Sequence, residues 1–344
     1  MKNGKSSLIF NNVYFNKSAV VVGPKEKDGP LKQFYDYYFD KLDCNESSWE
    51  KAEIKMYKTA FNIALNKADL KESDLDLIIS GDLNNQIIIG SYALRNMNTP
   101  YLGIFSACAS SVEGLILASN FIENHDYKNI VVCTSSHNGL AEKQFRFPNE
   151  YGGKKPESIT STVTSATAII LSNEPKSSKK IKFKKATIGK IVDYELNDPQ
   201  DLGRCMSPAC YNTLKEHLND FNIDTNYYDL IVSGDLSYYG KQLFVNICYA
   251  NNINLGDNYN DCGLMIYDIS NQKVHSGGSG SGCLPAVSFS YIINQMEAGI
   301  LNKVLLLATG ALHNPSILNQ KESIPGICHA ISLEVEIWFI YLVF

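Results

Sequence analysis

The stretch Phe105-Ser-Ala-Cys108-Ala-Ser-Ser111 is where residue types and spacing point most clearly to chemistry. Cys108 lies between a short apolar run, Tyr101 to Phe105, and a helical pattern whose first turn is Ala109-Ser110-Ser111. The first turn of a helix presents unpaired N–H groups and the positive end of the dipole. A cysteine there is either a stabilised thiolate, hence a candidate nucleophile, or the neighbour of a bound carboxylate that Ser110 and Ser111 would also contact. The competing reading is a small buried cysteine that only packs. Ser135-Ser136-His137-Asn138 follows a second apolar strand, and groups just past the carboxyl end of such a strand line the ligand crevice of α/β sheets. His137 reads there as a base, a donor or a loop cap. The segment from Gln144 to Pro156 mixes cations, rings and glycines, as lids do, with Arg146 the candidate for a bidentate carboxylate contact and Tyr151 a ring beside it. Lys154 and Lys155 read as a solvated pair. His329, in Ile327-Cys-His-Ala, is a second candidate base or a core histidine.

The elements that must position these groups come in two copies. Asp76-Leu-Ile-Ile-Ser-Gly-Asp-Leu83 returns as Asp229-Leu-Ile-Val-Ser-Gly-Asp-Leu236. Each copy is followed by an apolar helix and a buried strand ending in Thr, at Thr134 and Thr309. The first motifs are offset by 153 (229 − 76), whereas Cys108 to Cys283 and Thr134 to Thr309 are both offset by 175, so 22 residues are inserted within the second half. A duplicated unit is the simplest source of such order. Strand-like openings at Ala19–Val22 and Ala186–Val192, and helices near Trp49–Asn66 and Pro208–Asn219, complete each unit and predict mainly parallel sheets. The halves are residues 1–172 and 181–344, joined by a Pro, Ser and Lys linker over 173–180; a lid-like insertion spans 141–164. The run Gly277 to Gly282 is a weak phosphate-loop match and a better tight turn that lets backbone approach a ligand.

Composition narrows the classes. With 344 residues, 44% hydrophobic and 19% charged, the chain is an ordinary globular protein. A formal charge of −5 gives no basic footprint for nucleic acid. Nine cysteines without CxxC pairs or zinc-spaced histidines argue for a reducing compartment, with no metal and no cofactor expected. A signal peptide and a membrane span are both absent from the expectation, since the N-terminus is polar and the apolar tail Ile337 to Phe344 is too short to cross a bilayer. That tail reads as a last core strand, a membrane-surface contact or an altered end.

The duplicated unit with its cysteine at a helix start resembles the thiolase superfamily, whose members make or break carbon–carbon bonds on acyl thioesters. Val22-Gly-Pro-Lys-Glu-Lys-Asp-Gly-Pro-Leu31, Ser135-Ser-His-Asn138, Gln144-Phe-Arg146, Glu150-Tyr-Gly-Gly153, Asp261-Cys-Gly-Leu-Met-Ile-Tyr267 and Gln320-Lys-Glu-Ser-Ile-Pro325 are similar, within it, to the stage V sporulation protein AD family. The resemblance covers about residues 8–333. It implies a thiolase fold, two duplicated α/β halves forming a five-layer αβαβα sandwich. It also implies dipicolinic acid as ligand (with or without calcium), other membrane proteins of the same sporulation complex as partners, and a place on the spore inner membrane. A homodimer is a further implication. Thiolases carry a Gly-His-Pro motif whose histidine activates the cysteine; the matching stretch here, Gly278 to Gly282, has no histidine. The expected protein is therefore a non-catalytic binder, with Cys108, Ser110, Ser111, Ser136, His137, Asn138, Arg146, Tyr151 and His329 around its ligand. An acyltransferase using Cys108, and a purely structural scaffold, are the alternatives.

Overall fold

The computed structural model describes residues 2–145, 154–176 and 179–336. Its first half holds strands β1 (Tyr14–Val22), β2 (Leu77–Asp82), β3 (Tyr101–Gly103), β4 (Asn129–Ser136) and β5 (Ser165–Ser172). Its helices are α1 (Trp49–Ala68), α2 (Ile88–Leu94), α3 (Ser110–His125) and α4 (Asn138–Phe145). The second half repeats the plan with β6 (Ile181–Thr187), β7 (Leu230–Ser233), β8 (Tyr259–Asp261), β9 (Lys303–Ala311) and β10 (Gly326–Val335). Its helices are α5 (Leu202–Phe221), α6 (Ser237–Ala250) and α7 (Cys283–Val287), the last continued to Ala298 through a π turn.

Strand order makes the duplication explicit. The first half runs β3-β2-β4-β5-β1 and the second β8-β7-β9-β10-β6, the same permutation of strands, and the two meet edge to edge at Tyr14 and Lys182. In each half the first three strands of that order are parallel and the remaining two pairings antiparallel. The sheets are thus mixed rather than mainly parallel, because β5 and β10 return directly beside the strand before them. The repeated octapeptide explains part of the symmetry. Its first aspartate accepts the backbone N–H groups that open the neighbouring strand: Asp76 from Lys128 and Asn129, at 2.6 and 3.0 Å, and Asp229 from Asn302 and Lys303, at 2.7 and 2.9 Å.

Alternation along the buried strands builds three cores. Ile79 and Val132 point to a central layer with Val112, Leu115, Leu284 and Val287, whereas Ile78 and Val131 point outward to α1 residues such as Met56 and Phe61. Ile231, Leu305 and Leu307 pack in the same way under α5. The result is α/β/α/β/α, with α3 and α7 in the middle. Burying a side chain of this size contributes roughly 1.5–3 kcal/mol, so these clusters dominate the fold's stability. Polar ties cross the middle: Ser18 Oγ donates to Phe289 O at 2.7 Å, and Tyr267 donates its hydroxyl proton to the buried carboxylate of Glu26.

Two elements differ from the sequence reading. The first strand of the second half is Ile181–Thr187, earlier than 186–192, because its Lys182, Lys184 and Lys185 lie on the more accessible face and gave the segment a linker-like composition. Helix α5 starts at Leu202, six residues before Pro208 (208 − 202), so this proline is interior rather than at the first turn. Among the described residues no helix is long and apolar enough to cross a membrane.

Candidate ligand-binding cleft

The loop after β3 turns sharply into α3 and sets the position of Cys108. Ala107 takes φ 48°, a left-handed conformation that costs a non-glycine residue energy. Ser110 holds the turn: its Oγ donates to Ala107 O at 2.8 Å and accepts from Ser106 N at 2.9 Å. Cys108 is left partly exposed at the floor of a cleft of about 630 Å³, its open mouth included. Phe105, Phe145, Leu202, Met206 and Pro199 form its apolar walls, and Thr162, Asp235, Ser279, Gly280 and His313 its polar ones. His313 stands edge-on to Phe145, with ring centroids 5.6 Å apart.

Asp235 is the electrostatic centre. It is the second aspartate of the second octapeptide and is fully buried. Thr309 Oγ1 donates to its Oδ1 at 2.6 Å and Gly280 N to its Oδ2 at 3.0 Å, and the Cys108 thiol beside it on the cleft lining feels its charge. Burial raises its pKa to about 7 against these stabilising hydrogen bonds. The Cys108 thiol is driven well above its ordinary range, first by desolvation and then by the Asp235 charge. Gly280 can approach this closely because it adopts φ 109°, and a Cβ there would sit 2.8 Å from Ser136 Oγ.

Among the described residues, the other side chains singled out in the sequence do not line the Cys108 cleft. His137 is buried, with Nε2 2.8 Å from Leu42 O and its ring against Trp49. Desolvation lowers its pKa, so it is a neutral structural donor. His329 accepts from Gly189 N at Nδ1, 3.1 Å, which leaves Nε2–H to donate to Ser106 Oγ at 3.2 Å. Burial lowers its pKa to about 4, and it braces the loop from behind. Ser136 links the halves, donating to Val163 O at 2.7 Å and accepting from Gly282 N at 3.0 Å. Ser111 is buried in α3, and Asn138 bonds Ser161 and Thr162 in a neighbouring cavity. Arg146 and Tyr151, with the tail 337–344, lie outside the described residues. Cys283, the counterpart of Cys108, is fully buried with its thiol 3.3 Å from Gly234 O.

Asp235 was not among the residues that the sequence singled out, although it lies in the repeat that defined the fold. Its twin Asp82 accepts N–H groups from Asn84, Ile89 and Gly90 at 2.8, 3.1 and 3.3 Å and is not part of the Cys108 cleft lining. Nearly identical octapeptides therefore carry different duties. Among the described residues no group of acidic, histidine or cysteine side chains is arranged to hold a metal ion.

Comparison with known proteins places this geometry. The family model described as stage V sporulation protein AD matches residues 4–334. Stage V sporulation protein AD of Bacillus subtilis (strain 168) is 41% identical over 332 residues, covering 96% of this chain and 97% of that protein. Solved structures share the fold at low identity. 3-oxoacyl-[acyl-carrier-protein] synthase III of Aquifex aeolicus VF5 has a TM-score of 0.57 at 13% identity, covering 94% of this chain and 99% of its own. Cerulenin-bound OleA from Xanthomonas campestris reaches 0.62 at 12%, covering 95% and 98%. A variant of the same OleA with bound lauric acid and lauroyl-CoA reaches 0.63 at 14%, covering 95% and 100%. The fold is that of the thiolase-like synthases, and the chain belongs to the stage V sporulation protein AD family.

Proposed function

We propose that the Cys108 cleft is a binding pocket for a small planar carboxylate and that Cys108 is part of its wall rather than a nucleophile. The pairing of Cys108 with a carboxylate carries this reading. Covalent catalysis by cysteine needs a base or a cation that favours the thiolate. Asp235 does the reverse, and both candidate histidines are neutral and committed elsewhere. Family membership ties the chain to sporulation. Dipicolinic acid, with or without calcium, is the ligand we assign, since its flat ring suits walls of Phe105, Phe145, Leu202 and Met206. We read the protein as the dipicolinate-binding component that works with other membrane proteins of the same sporulation complex at the spore inner membrane. There it would serve movement of the ligand into the forespore and out during germination.

Asp235 sets a condition on this binding. Ionised, it repels a carboxylate; protonated, it donates a hydrogen bond to one. Its pKa near 7 puts the change in a physiological range.

Acyl transfer through a Cys108 thioester is the second reading, favoured by the apolar walls and by the lauroyl-CoA complex of OleA. Incubation with acetyl-CoA and lauroyl-CoA followed by intact mass separates the two. The binding reading expects unmodified protein; an acyl adduct that disappears in Cys108→Ser would establish the enzyme. A scaffold would show neither adduct nor ligand binding.

A further inference from the structure

A second cavity lies on the other side of a thin wall from the Cys108 cleft. The wall is the two-residue strand Ser161–Thr162, paired in parallel with Gly278–Ser279. Thr162 and Ser279 line the Cys108 cleft, whereas Thr160 and Ser161 line the second cavity, so the two residues of the short strand face different chambers. Ile159 and the polar groups Lys25, Lys155, Lys273, His275, Asn138 and Glu142 also line that cavity. Among the described residues three lysines thus face one glutamate in a chain whose net charge is −5. Glu142 is engaged by Lys155 at 2.8 Å. Among the described residues, neither Lys25 nor Lys273 has a carboxylate within ion-pairing distance.

The hydroxyl of Ser161 organises the donors. Its Oγ accepts from Lys25 Nζ at 3.1 Å and from Asn138 Nδ2 at 3.4 Å. A hydroxyl has two acceptor positions and one proton, so with both lone pairs engaged its proton is left to donate outward. Asn138 uses its other amide proton on Thr162 O at 3.2 Å, which fixes its orientation. The Lys25 ammonium keeps further N–H groups for a ligand. The cavity therefore offers donors and positive charge, with its acidic residue already paired.

We propose that this cavity is an anion site of its own, taking a compact dianion such as inorganic phosphate or a dicarboxylate between Lys25, Ser161 and Lys273. It stands independently of the reading of the Cys108 cleft, because its lining residues are different ones. Lys273 and His275 come from the segment that lengthens the second half relative to the first.

The test is calorimetric titration of the full chain with inorganic phosphate at pH 7.5 and low ionic strength. The variants are Lys25→Met/Lys273→Met and a charge-matched control, Lys51→Met/Lys58→Met, on exposed positions of α1. One phosphate per chain is expected for wild type and control, with at least tenfold weaker binding in the cavity variant. Ser161→Ala, which keeps every charge, should weaken phosphate by roughly three- to tenfold, the range of one lost hydrogen bond. A parallel titration with dipicolinate into Asp235→Asn and the cavity variant tells which chamber that ligand uses. Failure of the cleft reading would appear there and leave the phosphate result standing. Absence of phosphate heat in the wild type, or equal affinity in the cavity variant and its control, overturns the proposal.

Discussion

Two buried carboxyls tune this molecule in opposite halves. Glu53 accepts from Ser135 Oγ at 2.7 Å and from Asn84 Nδ2 at 3.3 Å, and burial together with the charge of Asp82 raises its pKa to about 8. The folded state therefore holds a proton that the unfolded chain gives up near the ordinary carboxyl value. Stability from this proton is complete below about pH 4.5 and is lost as pH rises to about 8. Glu53→Gln mimics the protonated form. Its melting temperature should match wild type near pH 5 and exceed it at pH 9, by a difference worth about 1–3 kcal/mol. Thermal melts across that range check it, and parallel pH curves for the two proteins would show that Glu53 is ionised when folded. Asp235 bears the same kind of cost, which is common at functional positions. No pattern in the sequence separates Asp235 from Asp82, since both stand at the same place in the repeated octapeptide. The difference arises only when the second strand end is brought against the first half's cysteine.

At the scale of elements, the α3 turn and the Gly280 loop hold the cleft, and each has a single weak point. Ser110→Ala removes both bonds that fix the left-handed Ala107 and should cost about 1–2 kcal/mol, read as a lower denaturation midpoint. Gly280→Ala meets both a positive φ and a close contact with Ser136, so it should displace the N–H from Asp235 and weaken ligand at least tenfold. An unchanged affinity would show that this loop does not shape the pocket. β3 is an open sheet edge, with Leu102 40% exposed and Phe105 51% exposed. An edge of this kind invites pairing with a second copy, and we propose that the homodimer implied by the family resemblance forms through it. Sedimentation equilibrium should show a wild-type dimer and a Leu102→Lys monomer; a wild-type monomer at all concentrations would refute it. The paired motifs and apolar runs made most of these elements readable in advance. Strand β6 was not, because its lysines hid the alternation, and neither was the start of α5, because an interior proline resembled a first turn.

Across the whole molecule, duplication supplies a symmetric scaffold and the site comes from its asymmetry. Cys108 is presented while Cys283 is buried; Thr309 bonds Asp235 while Thr134 Oγ1 has no partner among the described residues. The duplication followed from motif order and the five layers from the family resemblance, but the cleft is made where distant segments meet, so no single run of sequence carries its charge and shape. Binding as proposed depends on a pocket whose carboxylate controls an anionic ligand. The most direct measurement is calorimetric titration of dipicolinate into wild type and Asp235→Asn from pH 6 to 8.5. Wild-type affinity should be highest below pH 7 and fall by up to about tenfold per pH unit above it, because only protonated Asp235 can donate a hydrogen bond to the ligand carboxylate. Asp235→Asn, a permanent donor, should bind with nearly constant affinity across the range, which separates Asp235 from His313 as the source of the dependence. Absence of binding at every pH, or a wild-type profile that Asp235→Asn leaves unaltered, would contradict the assignment of this cleft.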